Sequence, residues 1–260
     1  MIPFSRMIKY GNIVNARWWD EPDVLMAYDT YNFVPSTGFN TDGFNDYKGI
    51  FVQADAASTD NKFPILGIPG ESVLNQFGSY GICLYGSALI ANTSQIDPSR
   101  STSDYTVDFW MRNSTAGENV LEIVPFVWCN LITTNNNKWC MWAYLKDSNG
   151  VRYQNNGSGP TRSKSSYSSM YADTNWHHFA CTYVRSTNTH YIFFDGVLID
   201  TFVYTVVTPG TPATKFGITG HVNSQGASGG SPAHTYIDRF RFRNTAVWTS
   251  NFNINTIYPT

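Results

Sequence analysis

The chain has 260 residues, 42% of them hydrophobic and 16% aromatic, but only 14% charged, with a formal net charge of -2. Because 17 Lys and Arg are set against 19 Asp and Glu, there is no basic excess for a phosphate backbone, which argues against a nucleic-acid partner. So many rings exclude a disordered chain, and no apolar run of about 18 residues is present to span a bilayer.

Residues 1–22 stand outside any strand pattern and carry Trp18 and Trp19 side by side. Adjacent tryptophans need a surface to cover them, the domain's own or a partner's, so this segment is expected to be an extended N-terminal arm that contacts a partner. Its start holds Arg6 and Lys9 but no continuous apolar stretch, unlike a secretory signal. From residue 23 onward, short alternating or apolar runs recur at 24–28, 49–53, 81–85, 105–111, 123–131 and 139–145. Further runs follow at 176–184, 190–194, 197–200, 201–207, 215–220 and 236–242. Many short strands separated by turn residues predict an all-β sandwich or barrel. The polar stretches 36–47, 92–104, 148–175 and 221–234 then read as loops of a single domain, 23–260.

The 176–200 region has the sharpest local signal. Residues 185–188 offer a turn, and Asp195-Gly196 supplies the two positive-φ positions of a tight hairpin. Cys83, Cys129, Cys140 and Cys181 lack the short spacings of a structural zinc site. Cys129 and Cys140 would face each other if the intervening turn were centred between Thr134 and Asn135; free thiols are the expectation.

Candidate sites are weighed by residue chemistry. Glu118 and Glu122 are the one nearby carboxylate pair with strand-face spacing, but no aspartate lies between them, so they are expected to be solvated and no catalytic residue is assigned. His177 and His178 point to opposite faces of their strand, one packed and one exposed. Asp238 is expected to share the apolar face of Tyr236, Phe240 and Phe242 and to accept hydrogen bonds there, with a calcium ligand as the alternative. No metal or other cofactor is otherwise expected. Arg239, Arg241 and Arg243 would form a stripe on the opposite face, either solvated or a contact for an acidic neighbouring subunit or an anionic glycan. Around the 135–137 turn, Trp128, Trp142 and Tyr144 with Asn135 and Asn136 are candidate ligand-binding residues. Rings stack on sugars and amides meet hydroxyls, provided that face is open.

Several of these segments also resemble one family. Residues 24–28 followed by Phe44-Asn45-Asp46, the Phe77-Gly78-Ser79-Tyr80-Gly81 turn, Tyr105 to Arg112, the 176–196 hairpin, Tyr236 to Phe242 and the Val247 to Phe252 tail resemble the laminin G-like, or concanavalin A-like, jelly roll found in tailed-phage structural proteins. The resemblance implies a two-sheet antiparallel jelly-roll sandwich of the lectin/glucanase type behind the N-terminal arm. It implies a non-enzymatic virion protein assembled in the host cytoplasm: a surface-displayed lectin-like module serving as capsid decoration or tail-fibre appendage. Its partners would be other virion proteins through the arm, further copies of itself in a homo-oligomer, and host-surface glycan. The alternatives are a stand-alone carbohydrate-binding lectin and, behind it, a glycoside hydrolase.

Overall fold

The computed structural model of the protein describes residues 20–28, 43–45, 48, 51–56, 65–66, 82–83, 87–92, 104–113, 123–129, 138–143, 151–155, 174–204, 215–218, 222–223, 226–227 and 235–257. Seventeen strands run through them in chain order. The first ten are β1 (Val24–Tyr28), β2 (Gly43–Asn45), β3 (Phe51–Ala56), β4 (Ile65–Leu66), β5 (Ile82–Cys83), β6 (Ser87–Asn92), β7 (Tyr105–Asn113), β8 (Ile123–Cys129), β9 (Lys138–Ala143) and β10 (Val151–Asn155). The rest are β11 (His177–Val184), β12 (Thr189–Phe194), β13 (Val197–Val203), β14 (Lys215–Ile218), β15 (Val222–Asn223), β16 (Gly226–Ala227) and β17 (Thr235–Arg243).

They form two antiparallel sheets and a small β15–β16 ladder. One sheet has the order β13-β12-β11-β7-β17-β5-β4, with β1 also on β17, and the other β10-β9-β8-β14-β6-β3-β2. Neighbours far apart in sequence, such as β7 beside β17 and β8 beside β14, are the long crossovers of a jelly roll. The expected runs become strands, with 197–200 and the start of 201–207 merging into the single strand β13. Strands β2, β4, β6, β10, β15 and β16 arise where loops or no element were expected.

The core is legible on β7 and β11, whose residues from Tyr105 to Met111 and from His178 to Tyr183 are all buried. A strand buried on both sides must be covered twice. On one face the rings of Tyr105, Phe109, Phe179, Tyr183, Phe240 and Phe242 pack together, Phe109 lying 5.1 Å from Phe179 and Tyr105 5.2 Å from Tyr183. This is the apolar layer that a sandwich turns inward. On the other face lie Thr106, Asp108, Trp110, His178, Ala180 and Thr182, and there the cover is the C-terminal segment 244–257.

A β-bulge decides which face the β17 residues take. Asp238 pairs with Trp110 and Arg241 with Asp108, so two residues of β17 oppose one of β7, and Arg239 takes the left-handed φ of 48° that this insertion needs. The period-two count therefore slips by one between Asp238 and Arg241. The sequence placed Asp238 on the face of Tyr236, Phe240 and Phe242; its register instead puts it with Trp110 and Arg241, away from Phe240 and Phe242.

Candidate functional site

The tail-covered face is built around a buried charge cluster. Arg241 from β17 grips Asp108 from β7 with its Nε–H, at 3.1 Å to Oδ1, and with its Nη2–H, at 2.7 Å to Oδ2. His178 from β11 donates to the same carboxylate through Nε2, at 3.2 Å. All three residues are fully buried. Burial alone would raise the Asp108 pKa, but the Arg241 charge and the His178 hydrogen bond outweigh it and hold the carboxyl well below its ordinary range.

Above this cluster the tail is fastened at several points. The single Thr106 hydroxyl proton goes to the Thr245 carbonyl at 2.8 Å, while its oxygen accepts from the Val247 N–H at 3.0 Å and from the Thr182 hydroxyl at 3.1 Å. Further along, Phe252 N–H donates to the Gly196 carbonyl at 2.9 Å and Asn251 Oδ1 accepts from Leu198 N–H at 2.8 Å. Trp248 and Phe252 stack at 4.1 Å and both present their planes edge-on to the His178 ring. Together with Trp176 and Ile254 they are partly buried against Val24, Ala27, Trp110 and Ile257, leaving part of this aromatic surface exposed.

The hairpin supplies the tail's landing point. Asp195 and Gly196 have φ of 51° and 75°, the pair of positive values expected for a tight hairpin turn. The Asp195 carboxylate accepts from the His178 backbone N–H at 2.8 Å and from His177 Nδ1 at 2.6 Å, tying the turn to the start of β11. His177 also stacks on Phe194 at 4.7 Å, so His178 is the packed histidine and His177 the half-exposed one.

At the opposite end of the sheet His190 lies between Tyr183 at 4.5 Å and Phe202 at 4.9 Å, and burial pushes its pKa down to about 3. Burial likewise raises the Cys181 thiol far above its ordinary value; it is a free, packed thiol and not a nucleophile.

The geometry can be set beside known proteins. A family model described as the concanavalin A-like lectin/glucanases superfamily matches residues 86–249. The chain belongs to this superfamily. Among solved structures it is similar to domain 4 of AbnA, a GH43 extracellular arabinanase from Geobacillus stearothermophilus solved with arabinotriose; identity is 14%, coverage 87% of this chain and 94% of that one, and the TM-score 0.55. It is also similar to the binding domain of botulinum neurotoxin DC, solved with SialylT at 14% identity and a TM-score of 0.51, and with rat synaptotagmin II at 13% and 0.53. Each neurotoxin match covers 87% of this chain, which spans about half of the neurotoxin domain, 48% and 49% respectively. No curated protein matches the sequence.

Within this concanavalin A-like, lectin-like jelly roll, the residues singled out from sequence fare unevenly. Arg241 and Arg243 do not form an outer stripe. Arg241 is spent on Asp108. Arg243 is buried too, its Nε–H 2.8 Å from Asp23 Oδ2 and its Nη2–H 2.9 Å from Asp23 Oδ1, with Glu21 as a further partner. Burial would raise the Asp23 pKa, and hydrogen bonds from Arg243 and Thr245 lower it on balance. Arg239, on the bulge, is half-buried. Asp238 is buried, and no group of three His, Cys, Asp or Glu that could hold a metal occurs among the described residues.

Trp128 pairs in register with Trp139, and Trp142 with Arg152. Register partners share one side of a sheet, so position 128 belongs with 139 rather than with 142. Cys129 stands opposite Lys138 and Cys140 opposite Val127, so the two cysteines are not the facing pair that a turn centred after Thr134 would make. Trp18, Trp19, Glu118, Glu122, Asn135, Asn136 and Tyr144 lie outside the described residues. Sequence reasoning missed Asp108, whose signal was available: a carboxylate in the middle of the apolar run Tyr105–Met111 must be paired once buried.

Proposed function

We propose that this protein is a non-enzymatic, glycan-binding module displayed on the virion of a tailed phage, as capsid decoration or tail-fibre appendage. The observation that carries glycan binding is the concanavalin A-like jelly roll itself, matched by family over residues 86–249. Two of its structural neighbours were solved with SialylT and with arabinotriose. Abundant rings and sparse charge suit the same ligand class, since an apolar sugar face stacks on an aromatic one. The virion role is supported by the tailed-phage version of the sequence motifs and by the tryptophan-bearing arm. The partners would be other virion proteins through residues 1–22, further copies of the chain, and host-surface glycan, with no cofactor required. No helix among the described residues is long and apolar enough to cross a membrane.

A glycan array probed with the full chain should show selective saccharide binding, and incubation with the bound glycan should release no reducing ends. Release of reducing sugar would replace the lectin with a hydrolase. Deleting residues 1–20 should abolish incorporation into particles while the sandwich still folds; particles that retain the truncated protein would overturn the arm's role.

A further inference from the structure

The aromatic surface over the tail has properties that the buried network beneath it does not need. Trp176, Trp248 and Phe252 are each only partly buried. Two of them are nevertheless held in orientation, Phe252 through its own N–H to Gly196 and its contact with Phe193 at 5.2 Å, Trp248 through its 4.1 Å stack on Phe252. Rings held in place before a ligand arrives lose little side-chain freedom on binding. Around them the exposed residues of the tail, from Asn244 through Thr256, are all asparagines, serines and threonines, neutral hydroxyls and amides. Among the described residues, three nearby cationic side chains are paired within the fold, Arg241 with Asp108, Arg243 with Asp23 and Glu21, and His177 with Asp195, while the Arg112 Nε–H donates to the Thr174 carbonyl.

We infer that this surface is a binding site for an uncharged saccharide, which lays its apolar C–H face on the Trp176 and Trp248 rings and turns its hydroxyls toward the tail's amides and hydroxyls. Flat rings beside a few neutral donors and acceptors form the chemistry of a sugar site. An anionic glycan would find the Arg241 and Arg243 guanidiniums already paired with carboxylates. The inference rests on the glycan-binding reading and gives it a location.

The test uses the full chain, with gluco-, galacto-, arabino- and N-acetylglucosamine oligosaccharides beside a sialylated trisaccharide, read by calorimetry and by tryptophan fluorescence. A neutral oligosaccharide should bind and perturb the fluorescence. Trp176→Leu and Trp248→Leu keep apolar volume against the cluster but lack a flat ring. Each should weaken binding about tenfold or more, the scale of a lost stacking contact, measured at a temperature where circular dichroism shows the variant still folded. Retained affinity in both, with loss in Trp128→Leu or Trp142→Leu, would keep the glycan reading and overturn this site. Binding of the sialylated sugar alone would overturn the neutral specificity. No binding to any saccharide would overturn the site together with the glycan reading, and a protein captured through these rings instead would do the same.

Discussion

Two buried groups set how the protein responds to acid, each in its own window. His190 is neutral in the fold, its pKa pushed down to about 3, while the unfolded chain takes up a proton near the ordinary 6.5. Between those values the unfolded state binds more protons, so stability should fall as pH drops through that interval, by at most about 1.4 kcal/mol per pH unit. His190→Phe should flatten that slope in urea titrations; an unchanged slope would assign it to another group. Asp108 acts lower: its depressed pKa contributes stability that is complete above its ordinary 3.8 and is lost as pH falls below it. Asp108→Asn leaves Arg241 buried without its counter-charge and should cost about 3–5 kcal/mol at neutral pH, whereas Asp108→Leu with Arg241→Met should recover most of that loss. Local inspection of the sequence shows only that Asp108 needs a partner; which groups supply it is not visible there, because Asp108, His178 and Arg241 are far apart in the chain and only sheet pairing brings them together.

At the scale of elements, legibility followed turn chemistry. Asp195-Gly196 announced its hairpin because few residues adopt two consecutive positive φ values, and the structure places both there. The bulge in β17 was hidden because the left-handed position is taken by Arg239 rather than by glycine. A period-two count carried across it sent Asp238 to the wrong face; Arg241 and Arg243 do lie opposite Phe240 and Phe242, but the C-terminal segment covers that face and buries them. Strands β6 and β10, SALIAN and VRYQN, lack the β-branched and aromatic runs that mark strands; their partners supply the pairing that their own composition does not advertise. Gly196 has a second duty beyond its φ. A Cβ built there would collide with the Phe252 carbonyl oxygen, part of the tail that donates back to Gly196. Gly196→Ala should therefore cost about 1–3 kcal/mol and loosen the tail, read as faster amide exchange at Phe252 and Leu198. An exchange pattern like that of the parent protein would show that the turn and tail are uncoupled.

For the whole molecule, the tail is the second cover of a sheet that would otherwise face water. Without residues 245–257, Trp110 and the Asp108–Arg241 pair would lose the segment packed over them. A chain truncated after Asn244 should bind 8-anilinonaphthalene-1-sulfonate and unfold at markedly lower urea. Parent-like dye binding and midpoint would mean that the sheet does not need this cover. The same segment guards an edge. Strand β13 ends its sheet and exposes Val197 and Val203, yet Leu198 N–H is taken by Asn251 and Thr201 N–H by the Asp200 side chain at 2.8 Å. Occupied donors leave a foreign strand less to pair with.

The position of that cover in the chain sets an order of events at the ribosome. Residues 247–257 follow every strand they seal, and synthesis runs at only about 5–20 residues per second. Until these residues dock on the hairpin, the Asp108–Arg241 pair stays wet, and docking is what expels its water. A chain clipped before them would thus carry a sheet with its polar, tail-covered face open to water, the species on which quality control and aggregation compete.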